Sequence, residues 1–574
     1  MKGKIVKIKH NAVVAALIEP ERDVRLFANE SLSFKVSGAE QSSAFANGSW
    51  DGHSSLFKMS SNSFPAGFVR YLKRKFEMKG AIVQVHSAPA PKPLGPENPK
   101  VDSYPENPDY SYQLETAHKL VNLKAMIARV ATGGGKSRIF KLACARIYRP
   151  TLFITTRKTL MYQMAEQMGQ QDRPIGILGD GEWNPQPSGI NFAIVDTLVS
   201  RLDKKSVDKE IDKQLEAIEA EAEKTVLEIF KKKDLPTTDS AIKMAPKEVR
   251  DKINAYRAKI IQKVRDKYPS EVIGKKATQI VERQAARRQE TIDFLRQIEF
   301  VTIEEAHEVS GNGFYDILNQ CHNAHYRLAL TATPFMKDDE EANMRLMAVT
   351  GPIGIQVTEK YLIEKGILAT PHFHYFKAAK PFKLNRGTPW QSAYKRGIVE
   401  NDDRNNIIVS ESKRASKYGL PVMVLIQHTN HGKRLLKLFK EAGIKTEFIS
   451  GEHNQEKRQK ALNALGSGEI QALIGSTILD VGVDVPAVGF VALSGGGKAE
   501  VAIRQRIGRG LRSKSSGPNV CFIIDFDDTD NKHLWAHAKL RKNVINTTPG
   551  FAENIHNSPF KYEDFGLTPK SGNK

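Results

Sequence analysis

KAMIARVATGGGKSRIFKLACARIY, residues 124–148, passes from an apolar run through three consecutive glycines, Gly133, Gly134 and Gly135, into a segment whose apolar residues fall at helical spacing. Strand, tight loop and helix in that order suggest a cradle for phosphate. Glycines let backbone N–H groups wrap an anion, and the following helix N-terminus favours negative charge. Lys136 can neutralise phosphate oxygens, and Ser137 offers a hydroxyl to Mg²⁺. The strict GxxxxGK[ST] spacing fails at its first position, which is Val130. A simple Gly-rich strand-to-helix turn therefore stays open until the rest of the chain is read.

Working outward, the apolar runs recur. TLFITT (151–156), NFAIVDTL (191–198), EFVTIEE (299–305) and LALTATP (328–334) are separated by amphipathic or polar stretches, the pattern of a parallel sheet with crossover helices. PVMVLIQH (421–428), TEFIS (446–450), IQALIGST (470–477), VGFVALS (488–494) and VCFIIDF (520–526) imply a second such sheet. Inside the first set the period changes. Ile211, Leu215, Ile218, Ala222, Val226 and Ile229, then Ile253, Tyr256, Ile260 and Val264, stand three or four apart among charged residues. This predicts a coiled-coil hairpin of long helices, broken near Pro236 and Pro246 and inserted at 203–298. Its later half carries Lys275, Lys276, Arg283, Arg287 and Arg288, which suit either a solvated helix face or a nucleic-acid contact.

Upstream, the prolines from Pro89 to Pro108 defeat helix and sheet interior and make 87–108 a linker. Residues 1–86 then form a small unit. Trp50, Phe57 and Phe64 are expected in its core rather than as base-stacking platforms. Arg70, Lys73, Arg74, Lys75 and Lys79 accompany Phe68, Leu72 and Phe76 on a predicted helix whose basic face suits phosphate backbone or solvent equally. The remaining expected units are 109–350, 351–545 and a tail, 546–574.

Composition sets the outer limits. The 574 residues carry 86 Lys and Arg against 65 Asp and Glu, a net charge of +21, while 40% apolar content argues against a disordered polycation. Such a balance makes a polyanionic partner as probable as a merely solvated basic surface. Cys144, Cys321 and Cys521 lie far apart, with no disulfide framework or zinc pattern, and fit a reducing compartment. No apolar run is long enough for a membrane span, and the N-terminus does not resemble a signal peptide. The expected setting is intracellular and cytoplasmic, with no membrane partner.

A second motif supports the phosphate reading. In FVTIEEAH an apolar strand ends at Glu304 and Glu305, placed for one carboxylate to hold a Mg²⁺ hydration sphere and the other to polarise an attacking water. Alone, EEAH would pass as a helix start with acids near the positive dipole end. After an upstream phosphate loop, and before ALTATP, that bland reading loses ground.

These motifs resemble those of the superfamily 2 helicases and translocases, over roughly residues 110–541 outside the inserted helices. SYQLETA (111–117) resembles the adenine-recognising segment, which implies that Gln113 reads the base. ATGGGKS (131–137) resembles motif I, implying nucleotide contacts from Thr132, Gly133, Gly134, Gly135, Lys136 and Ser137. TTRKTLMYQ (155–163) resembles motif Ia, implying nucleic-acid contacts at Thr156 and Arg157. EEAH resembles the DEAH form of motif II, with Glu304 and Ser137 on the metal and Glu305 on water. Thr331 and Thr333 match the coupling motif III. Gly475 to Pro486 looks like motif V, implying Thr477 on nucleic acid and Asp484 at the nucleotide. Gln505 to Arg512 matches the QxxGRxxR form of motif VI, with Gln505 coupling and Arg509 and Arg512 as fingers on the γ-phosphate. Two departures stand out. Glu304 replaces the usual Asp and is one methylene longer, so the metal would sit through a shifted water or turnover would slow. IVDTLVSRL (194–202) has Leu198 where related proteins often carry a polar residue.

Within the superfamily, EEAHEVSGNGFYDILNQCHNAHYRLALTATPF and LIEKGILATPHFHYF look like the UvsW-like phage helicases, as does FANGSWDGHSSLFKMSSNSFPAGF in the N-terminal unit, implying DNA binding there. The resemblance implies an α/β chain with two tandem RecA-like parallel-sheet domains, a small N-terminal α+β accessory DNA-binding domain and the helical insertion. It implies an ATP- and Mg²⁺-dependent helicase or translocase on duplex, forked or branched DNA in replication, recombination or repair, with a protein partner for the insertion. An RNA-stimulated ATPase and a nucleotide-switched scaffold are the competing expectations.

Overall fold

The computed structural model describes the chain except residues 102–107, 170–171, 307–311, 336–338, 476–487, 498–506, 508–510, 512, 515–516 and 571–574. The N-terminal unit holds β1 (Ile5–His10), β2 (Val14–Ile18), α1 (Arg22–Ser31), β3 (Ser63–Pro65), α2 (Val69–Met78) and β4 (Ile82–Ser87). Its sheet runs β3-β2-β1-β4, with β1 antiparallel to β2 and parallel to β4. Val6 and Ile8 alternate inward along β1 and pack with Leu72 and Phe76 of α2. Phe57 and Phe64 stack in this core with ring centroids 6.2 Å apart. Trp50 does not join them. Its indole N–H needs an acceptor and finds the His53 carbonyl at 2.6 Å in an exposed turn.

The first large sheet follows a strand–helix rhythm: α3 (Ser111–Leu123), β5 (Ala125–Val130), α4 (Lys136–Ile147), β6 (Thr151–Thr155), α5 (Lys158–Met168), β7 (Ile175–Gly179), β8 (Glu182–Trp183), β9 (Ile190–Ile194) and α6 (Val195–Leu202). Then come the inserted helices α7 (Val207–Lys232), α8 (Asp239–Met244), α9 (Lys247–Arg265) and α10 (Ser270–Gln297). The domain closes with β10 (Phe300–Glu304), α11 (Asn312–Gln320), β11 (Tyr326–Thr331), α12 (Glu340–Thr350) and β12 (Ile353–Val357). Strand order is β8-β7-β9-β6-β10-β11-β5-β12, parallel except where β8 joins β7. Every residue of β6, β9, β10 and β11 is buried, because helices cover both faces. Phe140, Ala143 and Ile147 of α4 pack one face, while Leu198, Leu295 and Ile317 pack the other.

In the insertion the expected hairpin becomes three long helices. Besides the breaks around Pro236 and Pro246, Pro269 ends a turn and starts α10, since proline cannot donate into a continuing helix. Glu223 and Glu219 on α7 pair with Arg257 and Arg265 on α9 at 2.9 and 2.7 Å. Val226, Phe230, Ile253 and Ile260 form the seam beneath these pairs. At the base, Arg201 stacks on Trp183, 3.5 Å from the ring centroid, and donates to Thr291 at 2.9 Å.

The prolines shape a strap more than a free linker. Leu94 and Gly95 donate to the Ile147 and Arg146 carbonyls, and the Tyr326 hydroxyl donates to the Pro91 carbonyl at 2.6 Å. The N-terminal unit docks on α12, where Gly67 lies against the Met347 and Ala348 backbone, and Arg70 donates to the Ala125 carbonyl.

The second large sheet comprises β13 (Thr370–Phe376), β14 (Val422–Leu425), β15 (Thr446–Ile449), β16 (Ala472–Gly475), β17 (Phe490–Leu493), β18 (Val520–Phe526) and β19 (Ile555–His556). It is parallel throughout in the order β15-β16-β14-β17-β18-β13-β19. Among the described residues, no helix is long and apolar enough to cross a membrane.

Candidate nucleotide site

The order β6-β10-β11-β5 brings the last residues of four neighbouring strands, Thr155, Glu304, Thr331 and Val130, to one edge of the first sheet. Open parallel sheets bind ligands outside these carboxyl ends. The glycine loop leaves β5 here and returns as α4, whose first residue is Lys136. Gly133 and Gly135 adopt φ of 86° and 75°, left-handed values that resist a side chain. Their surroundings add a second constraint. A Cβ on Gly133 would meet Leu368 Cδ2 at 2.7 Å, and one on Gly135 would collide with the Gln113 amide nitrogen.

Lys136 crosses this edge to Glu305, with Nζ 3.0 Å from Oε1. Each side chain is only 10% exposed. Burial is the largest influence on the Lys136 ammonium and pulls its pKa down; the Glu305 and Glu304 carboxylates together outweigh it, so the net shift is upward. The lysine is therefore charged at neutral pH. Arg157, at the start of α5, opposes those carboxylates and so lies within electrostatic reach of Lys136.

Glu305 is the first residue beyond β10, and its φ is 48°. For a residue other than glycine the left-handed region costs about 1–2 kcal/mol. The hydrogen bond from its N–H to the Leu330 carbonyl at 3.0 Å and the pair with Lys136 hold it there. Such strain concentrates where a side chain has to be aimed. Adjacent carboxylates on a regular strand would point to opposite faces; the turn at Glu305 instead brings its carboxylate to Lys136.

Gln113, assigned to adenine by resemblance, is buried against the loop. Its Nε2 donates to the Gly134 carbonyl at 3.3 Å, and Arg138 donates to its Oε1 at 2.9 Å. The Tyr112 hydroxyl donates to the same carbonyl at 2.7 Å. Helix α3 is thus bolted onto the glycine loop by two adjacent side chains. Thr132 lies in the loop and Ser137 in the first turn of α4, while Thr331 ends β11 and its Oγ1 accepts from the Thr333 N–H at 3.2 Å. Thr156 follows β6 directly. Thr477, Asp484, Gln505, Arg509 and Arg512 lie outside the described residues. Sequence reading missed Arg138, Tyr112 as a loop partner, and Leu368. Tyr112 neighbours a flagged residue and could have been found; Leu368 carries no local signal.

Comparison with known proteins agrees with this layout. The family described as "Type III restriction enzyme, res subunit" matches residues 108–336, and "Helicase conserved C-terminal domain" matches 402–514. ATP-dependent DNA helicase uvsW of Enterobacteria phage T4 is 24% identical over 242 residues, 41% of this chain and 47% of that protein. Pre-mRNA-splicing ATP-dependent RNA helicase PRP28 of Saccharomyces cerevisiae is 26% identical over 136 residues, 23% of each chain. The crystal structure of T4 UvsW aligns over 97% of this chain and 99% of that one at 16% identity, with a TM-score of 0.41. The matched segments span less than half the length of these curated relatives. The restriction-enzyme model falls on the first large sheet and the helicase C-terminal model on the second, in that order along the chain, and with helicases among the relatives this is the pattern of the superfamily 2 helicases, to which the chain is similar.

Proposed function

We propose that this chain hydrolyses ATP to move along or unwind DNA, acting on duplex, forked or branched substrates in replication, recombination or repair. The observation that carries the reading is the buried Lys136–Glu305 pair at the carboxyl ends of the strands, beside the glycine loop. A phosphate entering the loop competes with Glu305 for Lys136. As the ammonium turns toward the phosphate, Glu305 loses its stabilising cation and becomes the stronger base, ready to accept a proton from an attacking water. Nucleotide binding thereby arms the carboxylate.

The donor set at this edge, the Ser137 hydroxyl and the Glu304 carboxylate, is the hard-oxygen chemistry that Mg²⁺ takes. When bound, the ion would neutralise charge developing on the phosphates. Arg509 and Arg512 are proposed to reach the γ-phosphate from the second domain, so that hydrolysis depends on domain closure. Thr156, Arg157 and Thr477 are proposed on the nucleic-acid backbone, Asp484 at the nucleotide, and Thr331, Thr333 and Gln505 in coupling. Backbone tracking predicts weak sequence dependence and steep salt dependence.

ATPase and strand-separation rates measured across forked, four-way, duplex and single-stranded DNA and RNA test this reading. Stimulation by DNA structures, abolished by Lys136→Ala, supports it. Equal or greater stimulation by RNA would transfer the activity to RNA. No nucleic-acid stimulation at all would favour a nucleotide-switched scaffold, with the helical insertion recruiting a protein partner.

A further inference from the structure

A cavity of about 520 Å³ lies between the N-terminal unit and the first large sheet, at the amino ends of β5 and β11. The phosphate loop leaves the opposite end of β5, a six-residue strand, so the two sites are roughly 20 Å apart. Six cationic or titratable bases line the cavity: His10, Arg70 and Lys73 from the N-terminal unit, and Lys124, His325 and Arg327 from the sheet. Among the described residues no Asp or Glu lines it. A chain with 65 acidic residues could place one there, as it does beside Lys136, Arg404 and Arg541.

The cations differ in how they are held. Arg327 is buried and spends its guanidinium on the Ala324, Val349 and Cys321 carbonyls. Arg70 donates to the Ala125 carbonyl. Lys124, at φ 66°, lies over the Tyr326 ring at 4.8 Å. Burial first, and then Arg327, Lys124 and His10, lowers the His325 pKa. Burial alone lowers Lys124 and Arg70. Positive charge is thus collected from two units into one hollow whose lining holds no carboxylate; among the described residues Glu77 reaches Lys73 from outside the lining, at 3.8 Å. Volumes of this order accommodate small ligands.

We propose that this seam binds a phosphate oxyanion, which bridges Lys73 and His10 of the N-terminal unit to Lys124 and His325 of the first sheet. The phosphate can come from a free polyphosphate or from a nucleic-acid backbone. Either source would hold the N-terminal unit against the domain beside it. The site is separate from the glycine loop and does not require that loop to hydrolyse ATP.

The test uses the full chain with its glycine loop saturated by a non-hydrolysable ATP analogue and Mg²⁺, titrated calorimetrically with inorganic pyrophosphate and with a short DNA duplex. The probes are Lys124→Gln, His325→Gln and the half-buried Lys73→Gln, each checked by thermal unfolding. Pyrophosphate binding that weakens at least tenfold in Lys73→Gln and Lys124→Gln assigns a small-anion site. Duplex binding that weakens in these variants, with the log–log salt slope reduced by about 0.9 per lost contact, assigns the nucleic-acid backbone as the source. Unchanged affinity for both probes in all three variants overturns the proposal.

Discussion

Replacing Glu305 by Gln keeps the shape of the side chain and removes its charge, so it isolates what the pair with Lys136 contributes. At 3.0 Å and an effective dielectric near 20, the gross attraction is about 5–6 kcal/mol. Desolvation of both groups offsets much of that, but both are already buried, so removing one partner strands the other. Broken buried pairs cost about 3–5 kcal/mol, and Glu304 still faces Lys136, which places the expected loss near 3 kcal/mol. Hydrogen exchange is the suitable assay, because a multidomain chain has no single unfolding free energy. Without nucleotide, amides of β5 and β10 in Glu305→Gln should exchange about 100-fold faster than in the parent. The strands of the second sheet should be unaffected. Lys136→Met should behave alike, and the double variant should cost about 2 kcal/mol less than the sum of the two. Exchange in β5 and β10 that stays within threefold of the parent would refute the coupling, and with it the idea that a phosphate arms Glu305 by taking its lysine.

Gly135→Ala should lower nucleotide affinity by tenfold or more in a binding titration, because it meets both the left-handed φ and the Gln113 amide; adding Gln113→Ala should restore only part, since the backbone term of about 1 kcal/mol persists. Gly67→Val should undock the N-terminal unit, whose neighbour there is rigid backbone of α12, and proteolysis of residues 87–100 should accelerate severalfold. The second sheet should weaken in acid. His431, buried against Asn405, is held down to about 3 by burial and by the nearby Arg404, Arg434 and His428, and His372, hydrogen-bonded to His556, is held down to about 4 by burial and that neighbour. Both stay neutral when folded and take a proton near pH 6.5 when unfolded. Stability is therefore full above that pH and falls, by up to about 1.4 kcal/mol per unit for each group, down to about pH 4. Denaturation midpoints across pH 7 to 4 check this, and His431→Asn should flatten the profile.

What could be read from the chain, and what could not, divides by distance. Runs such as FVTIEE and VCFIIDF announce buried parallel strands through their own composition, and the glycine loop announces itself by what glycine permits. The motifs that end strands are legible for the same reason. The three-helix form of the insertion was partly visible, since Pro269 stands in plain sight, yet its flanks keep helical spacing and hide the break. Gln113 turning onto the Gly134 carbonyl, Leu368 covering Gly133 and the pinning of the proline strap depend on which surfaces meet after folding. No local pattern encodes those meetings. Glu305 is the instructive case, because its residue type was flagged while its strained backbone, which aims the carboxylate, appears only once β11 supplies the Leu330 carbonyl.

Helix α10 has 28 residues, about 42 Å at 1.5 Å per residue, and two residues after it the chain enters β10, which ends at Glu304 and leads into Glu305. A rod of that length magnifies small movements. If its outer end is pushed sideways by about 4 Å while it pivots where Arg201 and Trp183 hold Thr291 and Glu290, a lever of roughly 30 Å, it tilts by only about 8 degrees, yet that rotation is delivered beside the strand that aims two carboxylates at Lys136. Anything that grips the outer turns of the insertion thus has mechanical access to the edge where Lys136 meets Glu305, and, under the proposed function, a turn of Lys136 toward phosphate would be felt some 40 Å away.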